Sequence, residues 1–194
     1  MKGTAIRTGL LWFAQKYGTD VIARTALTLP PDLRAMIRLD DPAFGIVASG
    51  WYDTARIGEL LVTLERAAGV EGEEASEEYN NALCAAIAKD NVTGVYRSLF
   101  RLITTPPMLE ANAQRVWRTY VDEGTLTASA TRLGELRFEV RSWTHHHPQL
   151  CRVVGFVIQH VLRAVGYDAL VIEQTQCIAQ ADGFCGFEGM YLPK

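Results

Sequence analysis

The sequence contains no long hydrophobic run. Its longer apolar stretches, such as residues 153–158, fall far short of the roughly 18 residues that a membrane span needs. Lys2 and Arg7 precede a short apolar segment, but Gln15 and Lys16 end it and no small-residue cleavage site follows. We therefore expect a cytoplasmic protein without a membrane span.

Neither sign of charge is in large excess. The chain carries 19 Lys and Arg against 22 Asp and Glu, which gives a net charge of -3. Because no basic stripe is available for phosphate groups, we expect no binding to nucleic acid and no docking on anionic lipid.

Repeats, low-complexity segments and catalytic motifs are also missing. The sequence has no Gly-rich phosphate loop, no Gly-x-Ser-x-Gly and no His-Glu-x-x-His. An enzyme needs a nucleophile with a base or an acid–base pair, and no such arrangement is recognisable. The sequence therefore favours a protein that is not an enzyme.

The hydrophobic period is that of helices over the first 121 residues. Gly18 is typical of a helix end and Pro31 of a helix start, and Asp53 is a typical N-cap. Apolar residues follow Asp53 at the helical spacing i, i+3, i+4 and i+7, namely Ile57, Leu60, Leu61 and Leu64. This first part is expected to be a set of packed helices.

The period then changes to two. It predicts strands over 125–129, 136–143, 169–177 and 185–191, with an apolar helix over 148–165. The expected fold class is α+β, with the helical N-terminal half packed on a small, mainly antiparallel sheet of about four strands in the order ββαββ. We expect one domain over 1–194, helical over 1–122 and sheet-forming over 123–194.

Four cysteines are present, and in a reducing compartment they are more typical of ligands or buried thiols than of disulfides. Cys84 lies in an apolar helical stretch and is expected in the core. Cys177 and Cys185 flank Asp182-Gly183, a hairpin signal. A two-residue turn would place these two thiols on opposite faces, whereas a three-residue turn would place them on one face, at a spacing that suits a shared metal.

A third thiol comes from a different element. Cys151 lies in the first turn of the predicted helix over 148–165, where the helix dipole favours a thiolate. A tetrahedral metal needs one more ligand, and the candidates are Gln174, Glu173 and one of the histidines at positions 145, 146 and 147. On spacing alone, three buried structural thiols are the better interpretation, because free cysteines are often buried.

The segment 148–187, with Cys151 after a proline and the run VIEQTQCIAQADGFCGFE, resembles the 4-vinyl reductase type of small-molecule-binding domain. This superfamily includes aromatic sensors, haem-based nitric-oxide sensors and Golgi-transport subunits. The resemblance to the aromatic sensors implies zinc held by Cys151, Cys177 and Cys185, with Gln174 at the position of their glutamate. No haem-ligand pattern of the nitric-oxide sensors is evident, so we expect no haem.

Most of the chain is similar to a paralogous family best known from myxobacteria. The matching segments include MKGTAIRTGL, SGWYDTARIGELLVTLERAAG, DNVTGVYRSLFRLI, RVWRTYVDEG and HPQLCRVVGFV. The similarity implies the same fold. Because no ATPase or DNA-binding segment follows, unlike in the full-length regulators, we expect a stand-alone domain.

These observations favour a sensory or regulatory domain that binds a small apolar or aromatic molecule. We expect a cavity of a few hundred Å³ between the helix over 148–165, the sheet and the helix of Trp117. The candidate walls are Tyr96, Trp117, Tyr120 and Trp143, with His147 as a polar contact, although for each residue taken singly plain core packing is the commoner role.

The alternative is an adaptor that acts through protein contacts. A homodimer is expected in either case, with residues 4–37 as the contact, and a signalling protein is a further expected partner. Exposed apolar surface on the N-terminal helices would favour the adaptor.

Overall fold

Helices form the first part of the chain in the computed structural model, which describes residues 1–94, 97–132 and 134–192. The helices before the sheet are α1 (Gly3–Tyr17), α2 (Thr19–Thr28), α3 (Pro31–Met36), α4 (Thr54–Ala67), α5 (Glu73–Thr93), α6 (Arg97–Phe100) and α7 (Pro106–Tyr120). Their order agrees with the predicted helical half.

Local signals explain where these helices begin and end. Gly18 separates α1 from α2 with a φ of 97°, a conformation that costs glycine little. Pro31 opens α3, where its missing N–H is not needed. The Asp53 carboxylate accepts a hydrogen bond from the Arg56 N–H at 3.0 Å and so caps α4 as predicted.

The sheet follows in the order expected from the sequence. Its elements are β1 (Thr125–Arg132), β2 (Glu135–Arg141), α8 (Pro148–Ala164), β3 (Asp168–Gln176) and β4 (Cys185–Leu192). The strands lie side by side as β1-β2-β4-β3, and each neighbouring pair is antiparallel. The predicted α+β class is confirmed.

One hydrophobic core joins the two halves of the chain. Leu10 of α1, Leu83 of α5, Leu162 of α8 and Phe187 of β4 belong to the same buried cluster. Gly155 of α8 allows close packing on the sheet, because a Cβ there would lie 3.3 Å from the Phe187 ring. The assignment of residues 1–194 to a single domain stays a prediction.

The helices were also compared with the length and hydropathy that a membrane-spanning helix requires. Over residues 1–94, 97–132 and 134–192, none is both long enough and apolar enough to cross a lipid bilayer.

Candidate functional site: an apolar cavity and a thiol cluster

A cavity of about 160 Å³ lies among α1, α4, α5, α7 and α8. Its walls are almost entirely apolar, and no charged residue, histidine or cysteine is among the described residues that line it. The cavity is smaller than expected and is walled mainly by helices, with Leu126 and Phe138 as the contribution of the sheet. Apolar cavities of about 150 Å³ hold a molecule the size of benzene.

Two of the predicted aromatic walls line this cavity. Trp117 and Tyr120, both on α7, face it. The indole Nε1 of Trp117 donates a hydrogen bond to the Glu123 carbonyl oxygen at 2.8 Å, which fixes the orientation of the ring. Tyr96 lies outside the described residues.

Trp143 was expected as a wall of the cavity but lies behind it. It is outside the lining of the cavity and packs edge-on against Trp117, with ring centroids 5.3 Å apart at 87°. On its other side it packs edge-on against His146, also at 5.3 Å. Trp143 therefore lies between the cavity wall and the histidine segment.

His147 is also outside the lining and caps a helix instead. Its Nδ1 accepts a hydrogen bond from the Gln149 N–H at 3.1 Å, at the start of α8. Gly58 of α4 passes so close to the ring that a Cβ there would lie 2.2 Å from the His147 Cγ. Burial lowers the pKa of His147, which favours the neutral ring that can accept this bond.

Three thiols and one imidazole form the second feature, which we call the thiol cluster: His146, Cys151, Cys177 and Cys185. One ligand atom from each residue lies within 4.8 Å of all the others. Cys151 comes from the first turn of α8, Cys177 directly follows β3, and Cys185 begins β4. His146 Nε2 is 3.7 Å from the Cys177 Sγ.

The loop between β3 and β4 differs from both predicted hairpin turns. Residues 177–184 form it, with a helical turn at Ile178–Gln180 and the left-handed conformation at Ala181, where φ is 67°. The prediction of a tight turn at Asp182-Gly183 was wrong. The Asp182 carboxylate instead accepts a hydrogen bond from the Cys177 N–H at 2.8 Å and so closes the longer loop. The longer loop still brings the Cys177 and Cys185 thiols together.

The fourth position of the cluster is occupied by His146, one of the alternatives considered from the sequence. Gln174 instead lies exposed on β3, where its amide donates to the Gln176 carbonyl oxygen at 3.4 Å. Burial, followed by the proximity of His147, lowers the pKa of His146. A neutral imidazole is the form that binds a metal.

The segment that carries these histidines is held by a carboxylate. Glu123 accepts hydrogen bonds from the Thr54 hydroxyl and, at 3.0 Å, from the His145 N–H. Thr54 also donates to the His145 carbonyl oxygen at 2.8 Å. These bonds tie the loop before α8 to the start of α4.

The thiols of the cluster interact with one another. A hydrogen bond from the Cys151 thiol, acting against burial, lowers the pKa of Cys185 to about 7, and the same bond raises that of Cys151. Metal–sulfur bonds of about 2.3 Å set the corners of a tetrahedron about 3.8 Å apart. Here the four ligand atoms lie within 4.8 Å of one another, and the His146 Nε2 to Cys177 Sγ distance is 3.7 Å. The group has the donor types and spacing of a site for a soft metal ion.

Cys84 is separate from the cluster, as expected. It is fully buried on α5, and its thiol contacts the Val153 carbonyl oxygen at 3.5 Å. Burial raises its pKa, so this thiol stays protonated.

The sequence reasoning missed Asn91, a polar residue of the cavity lining. The helical spacing could have identified Asn91. It follows Tyr79, Leu83 and Ile87 at intervals of four along α5 and so shares their helix face.

No protein-family model matches the chain, and no curated protein matches it significantly. Solved structures do match over nearly the whole chain. An oxygen-binding H-NOX domain related to soluble guanylate cyclases, solved as its oxygen complex, is 14% identical with a TM-score of 0.64 and covers 98% of this chain and 95% of its own. An H-NOX protein from S. oneidensis in an Fe(II) state is 11% identical with a TM-score of 0.69, covering 100% and 97%.

A third structure was solved in work on the modulation of haem redox potential by porphyrin distortion, and it is 14% identical with a TM-score of 0.64 over 98% and 95% of the two chains. At such identities the likeness shows the fold alone. It confirms the expectation of a fold used by small-molecule sensors. It also corrects the expectation of no haem, because structures that share this fold are those of haem proteins.

The cavity lining can be tested against a haem directly. Haem iron takes His, Cys, Met or Tyr as its axial ligand, and the described lining offers Met1, Tyr79 and Tyr120 but neither His nor Cys. Burial raises the pKa of Tyr79, which keeps it a neutral phenol. With a volume of about 160 Å³, far below that of a porphyrin, the cavity in this conformation does not fit the group.

Proposed function

We propose that the chain is a sensory domain that binds a small apolar molecule in the cavity among α1, α4, α5, α7 and α8. The observation that carries the proposal is an apolar space of about 160 Å³ within a packed core. A molecule that fills this space removes the apolar surface of its walls from water, so it stabilises the fold. The shared fold with sensor domains supports the same function.

The test is a ligand-dependent change in stability. Benzene, toluene and cyclohexane are added to the purified protein, and thermal unfolding is followed. A ligand that binds the folded state alone should stabilise it by about 2.7 kcal/mol at a hundred times its dissociation constant. Absence of a shift with every probe would contradict the proposal.

A matched pair of variants locates the binding. Ala113 lines the cavity from α7, whereas Ala111 on the same helix is exposed. Ala113→Leu should fill part of the cavity and abolish the ligand shift, while Ala111→Leu should leave it unchanged. Haemin is tested in the same way. If haemin gives a haemoprotein spectrum with the unmodified protein and not with Ala113→Leu, the ligand of the cavity is a porphyrin and not a small apolar molecule.

The thiol cluster supports a second proposal, that Cys151, Cys177, Cys185 and His146 hold a soft metal ion. Three thiols and a neutral imidazole whose ligand atoms lie within 4.8 Å of one another form a closed ligand set, which is typical of a structural metal. Such an ion would join β3, β4 and α8 at one point. Zinc is the metal to test, because its usual ligands are those of this cluster.

Elemental analysis of protein purified without added metal tests this proposal, with about one ion per chain expected. Cys177→Ala should lose the ion, and Cys84→Ala is the matched control that should keep it. His146→Ala and Gln174→Ala distinguish the two candidates for the fourth ligand. A metal content equal in all four variants would refute the assignment.

A dimeric adaptor is the second candidate function. Leu27 on α2 is 69% exposed and Leu11 on α1 is 40% exposed, both within the predicted contact over 4–37. Light scattering at high micromolar concentration should report a dimer that Leu27→Glu disrupts, and a monomer would contradict this candidate. The signalling partner and the cytoplasmic location stay predictions.

A further inference from the structure

The polar groups of the cavity are few, and among the described lining residues Asn91 is the one with a side-chain amide. Asn91 is 4% exposed and lines the cavity near the end of α5. Within the described parts of the chain, its side-chain amide makes no hydrogen bond. The side-chain atoms that are sealed from a water-sized probe and lack a partner belong to Trp143 and Tyr167 and not to Asn91, so the Asn91 amide stays accessible to a small molecule.

A second buried asparagine on the same helix provides the contrast. Asn80 is 0% exposed and donates to the Ser76 carbonyl oxygen at 2.8 Å. Its own oxygen accepts a hydrogen bond from the Gln149 amide at 2.9 Å. The fold therefore satisfies a buried asparagine where it serves the structure, and it leaves the amide of Asn91 beside the cavity.

Asn91 lies at the end of an otherwise apolar row. Tyr79, Leu83 and Ile87 precede it at intervals of four on the face of α5 that lines the cavity. An apolar side chain at position 91 would extend this row, so asparagine is not needed for packing. Its amide offers both donors and an acceptor.

We infer that Asn91 is the polar contact for the ligand of this cavity, and that the ligand is a small, uncharged apolar molecule carrying one hydrogen-bonding group such as a hydroxyl. This inference rests on the proposed function. An ionised ligand is excluded because the described lining has no charged side chain, and the ammonium of Met1 is already bonded to the Tyr52 carbonyl oxygen and paired with Asp122. A site with a buried amide discriminates strongly against an analogue that lacks the matching group.

Two probes of nearly equal shape test the inference, cyclopentanol and methylcyclopentane, which differ by a hydroxyl in place of a methyl. Their dissociation constants are measured by titration against the unmodified protein and Asn91→Leu. In Asn91→Leu, the affinity for methylcyclopentane relative to that for cyclopentanol should be about tenfold higher than in the unmodified protein. This change corresponds to about 1.4 kcal/mol. Asn81→Leu, the same change at an exposed asparagine of α5 outside the described lining, should leave the ratio unchanged.

Stability provides an independent readout. Because Asn91→Leu removes an unpartnered amide, the ligand-free variant should melt at a higher temperature than the unmodified protein, whereas a structural asparagine would make the variant less stable. If Asn91→Leu does not fold, Asn91→Ala serves in the same titrations. Binding of both probes with an unchanged ratio would overturn the role of Asn91 and keep the proposed function, and binding of neither would remove both.

Discussion

The cavity and the thiol cluster lie in one fold but are built in opposite ways. The cavity is a space bounded mainly by apolar side chains of helices, with no charged side chain in its described lining. The cluster is a convergence of four reactive atoms within 4.8 Å, supplied by two loops, a strand and a helix. A cavity can accept many molecules of suitable size, whereas a group of thiols and an imidazole selects a metal ion by coordination chemistry.

Aromatic rings connect the two regions. Trp117 lines the cavity, Trp143 packs on Trp117, and His146 packs on Trp143. His146 is in turn 3.7 Å from the Cys177 thiol. Variants that affect either the cavity or the thiol cluster and spare the other therefore test whether the two regions depend on each other.

The largest effect is expected from Trp143→Ala, because this residue supports both regions. Trp143 is 2% exposed, and its removal leaves a large hole between Trp117 and His146. The free energy of unfolding, measured in urea, should fall by about 3 to 5 kcal/mol. Ligand affinity and metal content should both decrease.

Trp51→Ala is the control for the previous variant. Trp51 is 45% exposed and contacts Lys2 at the surface. Its loss should cost less than about 1 kcal/mol. If Trp143→Ala were equally mild, the chain of rings would not support the two regions.

Two glycines separate the regions more cleanly. Gly58→Ala would drive a Cβ to 2.2 Å from the His147 Cγ, so the histidine segment must move at a cost of about 1 to 3 kcal/mol. Gly9 lines the cavity from α1, and a Cβ there would lie 3.4 Å from the Leu83 side chain, which is ordinary contact. Gly9→Ala should therefore stabilise α1 by about 0.5 to 1 kcal/mol.

Metal content and ligand affinity are measured on both glycine variants. Gly58→Ala should reduce metal content, whereas Gly9→Ala should reduce the room for the ligand and leave the metal in place. The reverse assignment of effects would show that the two regions are not separable in this way.

The last predicted effect concerns Glu123 and depends on pH. Burial alone would raise the pKa of Glu123, but the hydrogen bonds from Thr54 and His145 lower it overall. A carboxyl whose folded pKa lies below its unfolded value stabilises the fold above the unfolded pKa, and this contribution is lost as the pH falls through the folded pKa. Glu123→Gln should cost about 1 to 2 kcal/mol at pH 7.

That cost should fade as the pH falls below about 4, because the native carboxyl is then protonated as well. Urea midpoints at neutral and acidic pH measure the difference. A difference that does not vary with pH would assign the effect of Glu123 to shape alone.

Local signals carried much of the architecture. Gly18, Pro31 and Asp53 marked helix ends correctly, and the change of hydrophobic period located the sheet. These features act over a few neighbouring residues, so they can be read along the chain. The conformation of the loop over 177–184 could not be predicted in this way. The Asp182 carboxylate accepts a hydrogen bond from the Cys177 N–H, and this contact replaces the turn that Asp182-Gly183 indicated.

For the site, the sequence provided the chemistry but not the arrangement. Cys151, Cys177 and Cys185 were identified as candidate ligands, and Trp117 and Tyr120 as candidate walls. Three adjacent histidines look equivalent in a sequence. Their roles diverge because each points to a different neighbour, Glu123 for His145, Cys177 for His146 and the start of α8 for His147.

The sequence by itself determined the order of helices and strands and the residues suited to bind metal or apolar molecules, since propensity, period and donor type are properties of the chain. The tertiary structure alone decided that a cavity of about 160 Å³ lies among α1, α4, α5, α7 and α8 and that the amide of Asn91 borders it. A cavity is what remains when distant side chains fail to fill the space between them, so its position depends on contacts between elements far apart in sequence.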